Sequence, residues 1–115
     1  TYDTVEDVFG EIQRLMENGI RAVLVTLGAD GTAAGIDGKL YRVEPVPVEV
    51  VNPVGCGDAF VAGAAAGIVR DLGPRGLLAL AAACATANAL NPGVGEIRRE
   101  QVESLLPRIV VKEVG

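Results

Sequence analysis

Apolar residues at Val5, Val8, Phe9, Ile12, Leu15 and Met16 recur at the i, i+3, i+4, i+7 spacing that lines one side of a helix. Thr4 stands where an N-cap is wanted, and Asn18-Gly19 where a last turn closes, so an amphipathic helix is predicted between them. The pattern then changes. Residues 22–27 (AVLVTL) form a continuous apolar run, as expected of a parallel strand covered on both faces. Gly28-Ala29-Asp30-Gly31 turns the chain, and residues 32–36 and 39–43 flank Asp37-Gly38, a dipeptide that favours two-residue hairpin turns. A further strand is expected at residues 48–51, ending at Asn52-Pro53.

Residues 57–72 and 75–90 are helical in type, rich in alanine and parted by Gly73-Pro74. Their small side chains allow close helix approach, and the second has so few polar residues that it should be buried on most sides. Residues 91–97 (NPGVGEI) read as a loop, residues 99–106 as a short helix and residues 109–114 as a last strand. No internal repeat, linker or low-complexity segment interrupts this order. It is the order of an open α/β sheet, a class that binds ligands beyond the carboxyl ends of its strands.

Composition narrows the function classes. The chain has 115 residues, half of them hydrophobic, which supports one packed domain. Two tyrosines, two phenylalanines and no tryptophan leave little for stacking on bases, and ten Lys+Arg against 15 Asp+Glu give a net charge of -5. That is the wrong sign for neutralising many phosphates, so nucleic acid is not an expected partner. The longest run free of charge and glycine, residues 77–91, is too short for a bilayer span, so no membrane is expected. Cys56 and Cys84 form no CxxC pair, and there is no histidine to complete a zinc site. A reducing, cytoplasmic setting is the expectation.

The candidate chemistry lies in Asn52-Pro53-Val54-Gly55-Cys56-Gly57-Asp58, which leads into a helix. Gly55 and Gly57 let the backbone approach a ligand closely, so N–H groups around Cys56 can face one anion at the positive end of that helix. Read alone, Asp58 is better explained as a helix cap than as a chemical group. Two phosphate motifs fail. The dinucleotide fingerprint GxGxxG would need glycine at Phe60, and the Walker pattern breaks because Gly38-Lys39 is followed by Leu40 and preceded by Ala33 at the first glycine position.

The same segment resembles the C-terminal signature of ribokinase-like carbohydrate kinases, the phosphofructokinase-B type, in which a small polar pair precedes a Gly-Ala-Gly-Asp-like turn. Two more stretches resemble that family in the right order: Val25-Thr26-Leu27-Gly28-Ala29-Asp30-Gly31-Thr32, and Asn91-Pro92-Gly93-Val94-Gly95. The resemblance implies the C-terminal part of a three-layer α/β/α sandwich. It implies transfer of the γ-phosphoryl group of ATP, accompanied by Mg²⁺, to a hydroxyl of a sugar. Asn-Pro ahead of the turn is most similar to the branch acting on sugar phosphates, of the 1-phosphofructokinase and tagatose-6-phosphate kinase type.

On this resemblance Asp58 is the catalytic base, Gly55, Cys56 and Gly57 hold the developing charge, and Thr26, Leu27, Gly28, Ala29, Asp30 and Gly31 line the ATP site with Gly57 and Asp58. Asp30, Asp37 and Glu96 are read as loop carboxylates rather than magnesium ligands. The chain resembles only the C-terminal, ATP-binding portion of such a kinase, across residues 1–115. The sugar-binding part and lid are absent, so a fragment inactive on its own is expected, and the full-length form could be a homodimer. Three departures stand out: Cys56 replaces the usual alanine or serine, the helix position where many relatives place an asparagine near adenine falls at about Ala81 or Ala82, and Asn52 replaces the aspartate that in many relatives helps hold a monovalent cation. The rival readings are a nucleotide-binding module or regulator without kinase activity and a purely structural domain. Asp58 separates the kinase from both, because a binder has no use for a base.

Overall fold

The computed structural model describes residues 4–93 and 97–114. The chain divides into two compact units, one of Thr1–Pro45 with Val111–Gly115 and one of Val46–Val110.

The first unit contains helix α1 (Val5–Glu17) and a sheet of four strands, β1 (Ala22–Thr26), β2 (Thr32–Ile36), β3 (Lys39–Val43) and β4 (Val111–Val114). Thr4 caps α1 as its spacing predicts: its hydroxyl accepts the Asp7 N–H at 3.2 Å. Val8 and Ile12 of α1 bury themselves against Ala33, with Val23, Val25, Leu27 and Leu40 around them. Gly35 makes this approach possible, since a Cβ there would lie 2.5 Å from the Ile12 side chain and 2.7 Å from that of Met16. The β2–β3 turn is the one expected, with Asp37 at φ 49° and Gly38 at φ 84°, both positive as a type I′ turn requires.

Sheet direction corrects the sequence reading. The strands are ordered β1-β2-β3-β4 and every pair is antiparallel, with Ala22 opposite Ile36, Thr32 opposite Val43 and Leu40 opposite Val114. β1 was expected to be parallel and covered on both faces. It pairs antiparallel with β2, its two ends are exposed and its middle is half-buried. An apolar run reports burial, whereas direction depends on the partner.

A second correction concerns residues 48–51, which form no strand. Pro45 and Pro47 just upstream carry no N–H for a ladder. Here the Val51 and Asn52 N–H groups both donate to the Ala89 carbonyl, at 2.8 and 3.1 Å.

The second unit holds α2 (Cys56–Val69), α3 (Gly73–Ala89), α4 (Arg99–Leu105) and a 3₁₀ turn (Leu106–Arg108). α2 and α3 lie antiparallel and close. A Cβ at Gly63 would meet the Ala81 Cα at 2.7 Å, and one at Gly67 would meet the Leu77 Cβ at 2.5 Å. Leu80, Ala83 and Ala87 of α3 pack with Val102 and Leu105 of α4. The buried Asn91 carboxamide donates to the Ala87 carbonyl at 2.9 Å and to Gln101 Oε1 at 2.7 Å, pinning the end of α3 to α4. On its other side α2 exposes Val61, Ile68 and Val69, and it carries no charge between Ala59 and Val69. Val94, Gly95 and Glu96 lie outside the described residues.

Candidate active site

The turn before α2 is built by three side-chain and backbone devices. Asn52 Oδ1 accepts the Val54 N–H at 3.0 Å, closing an Asx turn. Pro53 follows, and its carbonyl accepts the Cys56 N–H at 3.3 Å. Gly55 then takes φ 86°, ψ 0° as the N-cap of α2, a left-handed conformation that glycine adopts without a side-chain penalty. A glycine cap has no side chain to spend on the helix amides. Ala59 N–H begins the helical ladder by donating to the Gly55 carbonyl at 2.9 Å.

The first amides of a helix have no partner within it. Among the described residues neither the Gly57 nor the Asp58 N–H donates to a protein acceptor, and Gly57 and Asp58 are both exposed. The positive end of the α2 dipole therefore meets two free donors. This differs from the expectation at Cys56, whose N–H is engaged by Pro53, whereas the N–H of Gly55 in the turn itself also donates to no protein acceptor among the described residues. Cys56 itself is half-buried.

Asp58 is the third residue of α2, and among the described residues its carboxylate accepts no hydrogen bond. Its side chain therefore makes no capping hydrogen bond to α2.

Two buried or half-buried amides secure this turn from outside. Asn52 Nδ2 donates to the Pro92 carbonyl at 3.0 Å. Asn88, with no exposed surface, donates from Nδ2 to the Val54 carbonyl at 2.9 Å and to Cys56 Sγ at 3.4 Å. The sequence reading missed the Asn88 side chain. A lone asparagine within an alanine-rich helix carried the only signal, a polar residue where a buried helix should have none.

The second expected element belongs to the other unit. Thr26 ends β1, Leu27 is half-buried beside α1, and Gly28, Ala29 and Asp30 form a 3₁₀ turn. The Leu27 N–H donates to the Gly31 carbonyl at 2.8 Å, and the Gly31 N–H to the Gly28 carbonyl at 3.2 Å. Gly28 and Gly31 both have positive φ; at Gly31 a Cβ would strike the Val43 carbonyl. Arg42 Nη2 reaches the Asp30 carbonyl at 3.4 Å. A shallow cleft beside this turn is lined by Thr4, Val5, Val8, Val25, Thr26, Leu27 and Asp30.

No group of three or more cysteines, aspartates or glutamates among the described residues is placed to hold a metal ion. The half-buried Cys84 thiol is pushed up from its ordinary pKa by burial, which lowers its thiolate fraction.

The sequence pattern shared by pfkB family carbohydrate kinases matches residues 2–101. The chain belongs to this family. Tagatose-6-phosphate kinase of Staphylococcus epidermidis is 32% identical over 110 residues, covering 96% of this chain and 36% of that enzyme. The ribokinase of Arabidopsis thaliana, solved with ribose and ATP, superposes with a TM-score of 0.80 at 30% identity, over 90% of this chain and 35% of that one. The phosphofructokinase-2 of Escherichia coli, solved with potassium, shares the fold with a TM-score of 0.87 at 21% identity, over 94% of this chain and 35% of that one. The pfkB chain thus spans about a third of the length of the kinases it matches. Its fold is α/β and ribokinase-like, and none of its described helices is long and apolar enough to cross a membrane.

Proposed function

We propose that this chain is the ATP-binding and catalytic-base part of a kinase that phosphorylates a sugar phosphate, of the tagatose-6-phosphate kinase or 1-phosphofructokinase type. The observation that carries this reading is the start of α2: an exposed, unbonded Asp58 carboxylate directly after a glycine-capped turn with two free amides. An acid beside a free anion site fits phosphoryl transfer, in which a base takes a hydroxyl proton and fixed donors meet the charge on the transferred group.

The acceptor hydroxyl oxygen forms a bond to the γ-phosphorus of ATP as the bond to the β,γ-bridging oxygen breaks. ADP departs, and the hydroxyl proton passes to an Asp58 carboxylate oxygen. The Gly57 and Asp58 amides, with Gly55 shaping the turn, stabilise the charge spread over the moving phosphoryl group. Residues 26–31, a turn of tight backbone with Thr26 at the end of its strand, are assigned to the nucleotide. Mg²⁺ bound with the ATP would be held largely by phosphate and water ligands, as the metal prefers, and would supply charge neutralisation there.

The test is a chimera in which this chain replaces the matching segment of the S. epidermidis tagatose-6-phosphate kinase. Once it is shown to melt cooperatively, it should phosphorylate tagatose 6-phosphate or fructose 1-phosphate with ATP. Asp58→Asn should then lower kcat about 100-fold or more, roughly 2.7 kcal/mol of barrier, with the KM for ATP little changed. A loss of thermal stability without loss of rate would return Asp58 to a structural role.

A further inference from the structure

Asn88 occupies the last turn of α3 with no exposed surface, in a stretch otherwise made of alanine, threonine and leucine. Burying a carboxamide is unfavourable unless its hydrogen bonds are made, and an alanine or leucine there would continue the packing of the neighbouring helix without that demand. The side chain spends its donors on the turn before α2, at the Val54 carbonyl and at Cys56 Sγ. These two contacts flank Gly55, the residue whose left-handed φ opens the helix.

α3 is well placed to act as an anvil for such contacts. The Gly63 and Gly67 approaches to Ala81 and Leu77 leave no slack between α2 and α3. The last residue of α3 adds a second tie, with the Ala89 carbonyl receiving the Val51 and Asn52 N–H groups. The turn is thus held at both flanks by consecutive residues, Asn88 through its side chain and Ala89 through its backbone. Gly55 supplies freedom, and a free glycine hinge samples many shapes unless something outside it chooses one.

We infer that Asn88 is a positioning residue for the phosphoryl site: its carboxamide, bonded to Val54 and Cys56, fixes the turn in the one shape that leaves the Gly57 and Asp58 amides open to an anion. The inference rests on the phosphoryl-binding reading of that turn. It assigns to α3, rather than to α2, the residue that sets the site's geometry.

The experiment uses the 115-residue chain, Cys84→Ala throughout so that Cys56 is the single thiol, and inorganic phosphate and MgADP as probes. Asn88→Ala removes the donors, and Asn88→Leu removes them while nearly filling the same volume. Thermal melts report packing. Amide NMR signals of Gly55, Gly57 and Asp58 report the turn, phosphate titration of those signals reports the anion site, and the rate at which a disulfide reagent modifies Cys56 reports opening of the flank.

In a variant that still melts cooperatively, the expected result is displaced Gly55 to Asp58 signals, phosphate affinity weakened tenfold or more and Cys56 modified at least tenfold faster. In the unsubstituted residue-88 chain, the Asn88 Nδ2 protons should shift together with the Gly57 and Asp58 amides as phosphate is added, a reading that needs no variant to fold. Affinity and thiol rate within twofold of the parent in a folded variant, or Asn88 protons indifferent to phosphate while the amides respond, would overturn the inference. If the parent's amides ignore both probes, the phosphoryl-binding reading itself falls, whereas a faster Cys56 reaction in the variants would still establish that Asn88 holds the turn.

Discussion

Asn52 shows how much one residue can change in a shared site. The sequence places it where many relatives carry an aspartate that helps hold a monovalent cation. In the structure its amide spans the gap itself, accepting from Val54 and donating to Pro92. Two nearby carbonyls also accept hydrogen bonds, that of Val54 from Asn88 and that of Ala89 from the Val51 and Asn52 amides. Neutral amide donors thus tie this turn to the end of α3 and to the residues that follow it. We predict that the chimeric kinase works at rates within about threefold in potassium, sodium and tetramethylammonium at one ionic strength. Asn52→Asp, which deletes the bond to Pro92 and adds a charge, should bring potassium activation. Activation of tenfold or more in the unsubstituted protein, about 1.4 kcal/mol of coupling, would show that the carbonyls are released for the ion.

At the scale of elements, the helices were legible and one strand was not. α1 announced itself because its apolar residues repeat at helical spacing between Thr4 and Asn18-Gly19, and the structure ends it within a residue of that reading. The hairpin was legible because Asp37-Gly38 has the backbone freedom its turn demands. Residues 48–51 misled, since their valines have strand propensity but their hydrogen bonds go to the end of α3, a partner far away in sequence. Asp58 and its glycines could be read from local order alone. Asn88 could not, because its role depends on a contact 34 residues away. Glycine positions within the helices are equally silent in sequence yet opposite in effect. Gly10 of α1 has open space around it, so Gly10→Ala should stabilise by about 0.5–1 kcal/mol through backbone entropy. Gly63→Ala should destabilise by about 1–2 kcal/mol, because its Cβ would enter the Ala81 backbone and the overpacking outweighs the gain in helix propensity. Urea unfolding of the two variants side by side checks the signs, and stabilisation by both would mean that α2 and α3 lie further apart than the structure has them.

The 115 residues hold the turn proposed to bind the phosphoryl group and span about a third of the length of the kinases they match. The chain by itself is therefore expected to bind MgADP weakly, with a dissociation constant in the millimolar range, and to turn over no sugar phosphate. Calorimetry and a coupled assay check the two halves of that statement. Turnover by the 115 residues would mean that the acceptor site is already complete in them. Another consequence follows from the path of the chain through the sheet. β4 is hydrogen-bonded to β3, yet the entire helical unit is inserted between them. During synthesis α1 and the hairpin emerge ahead of the helical unit, and the edge of β3 that β4 covers stays open until every residue of that unit has been made. An open edge is a template for unwanted strand pairing, and closing so long a loop is slow. The helical hairpin, whose contacts are local, should be finished before the sheet is, so the order of folding runs against the order of translation.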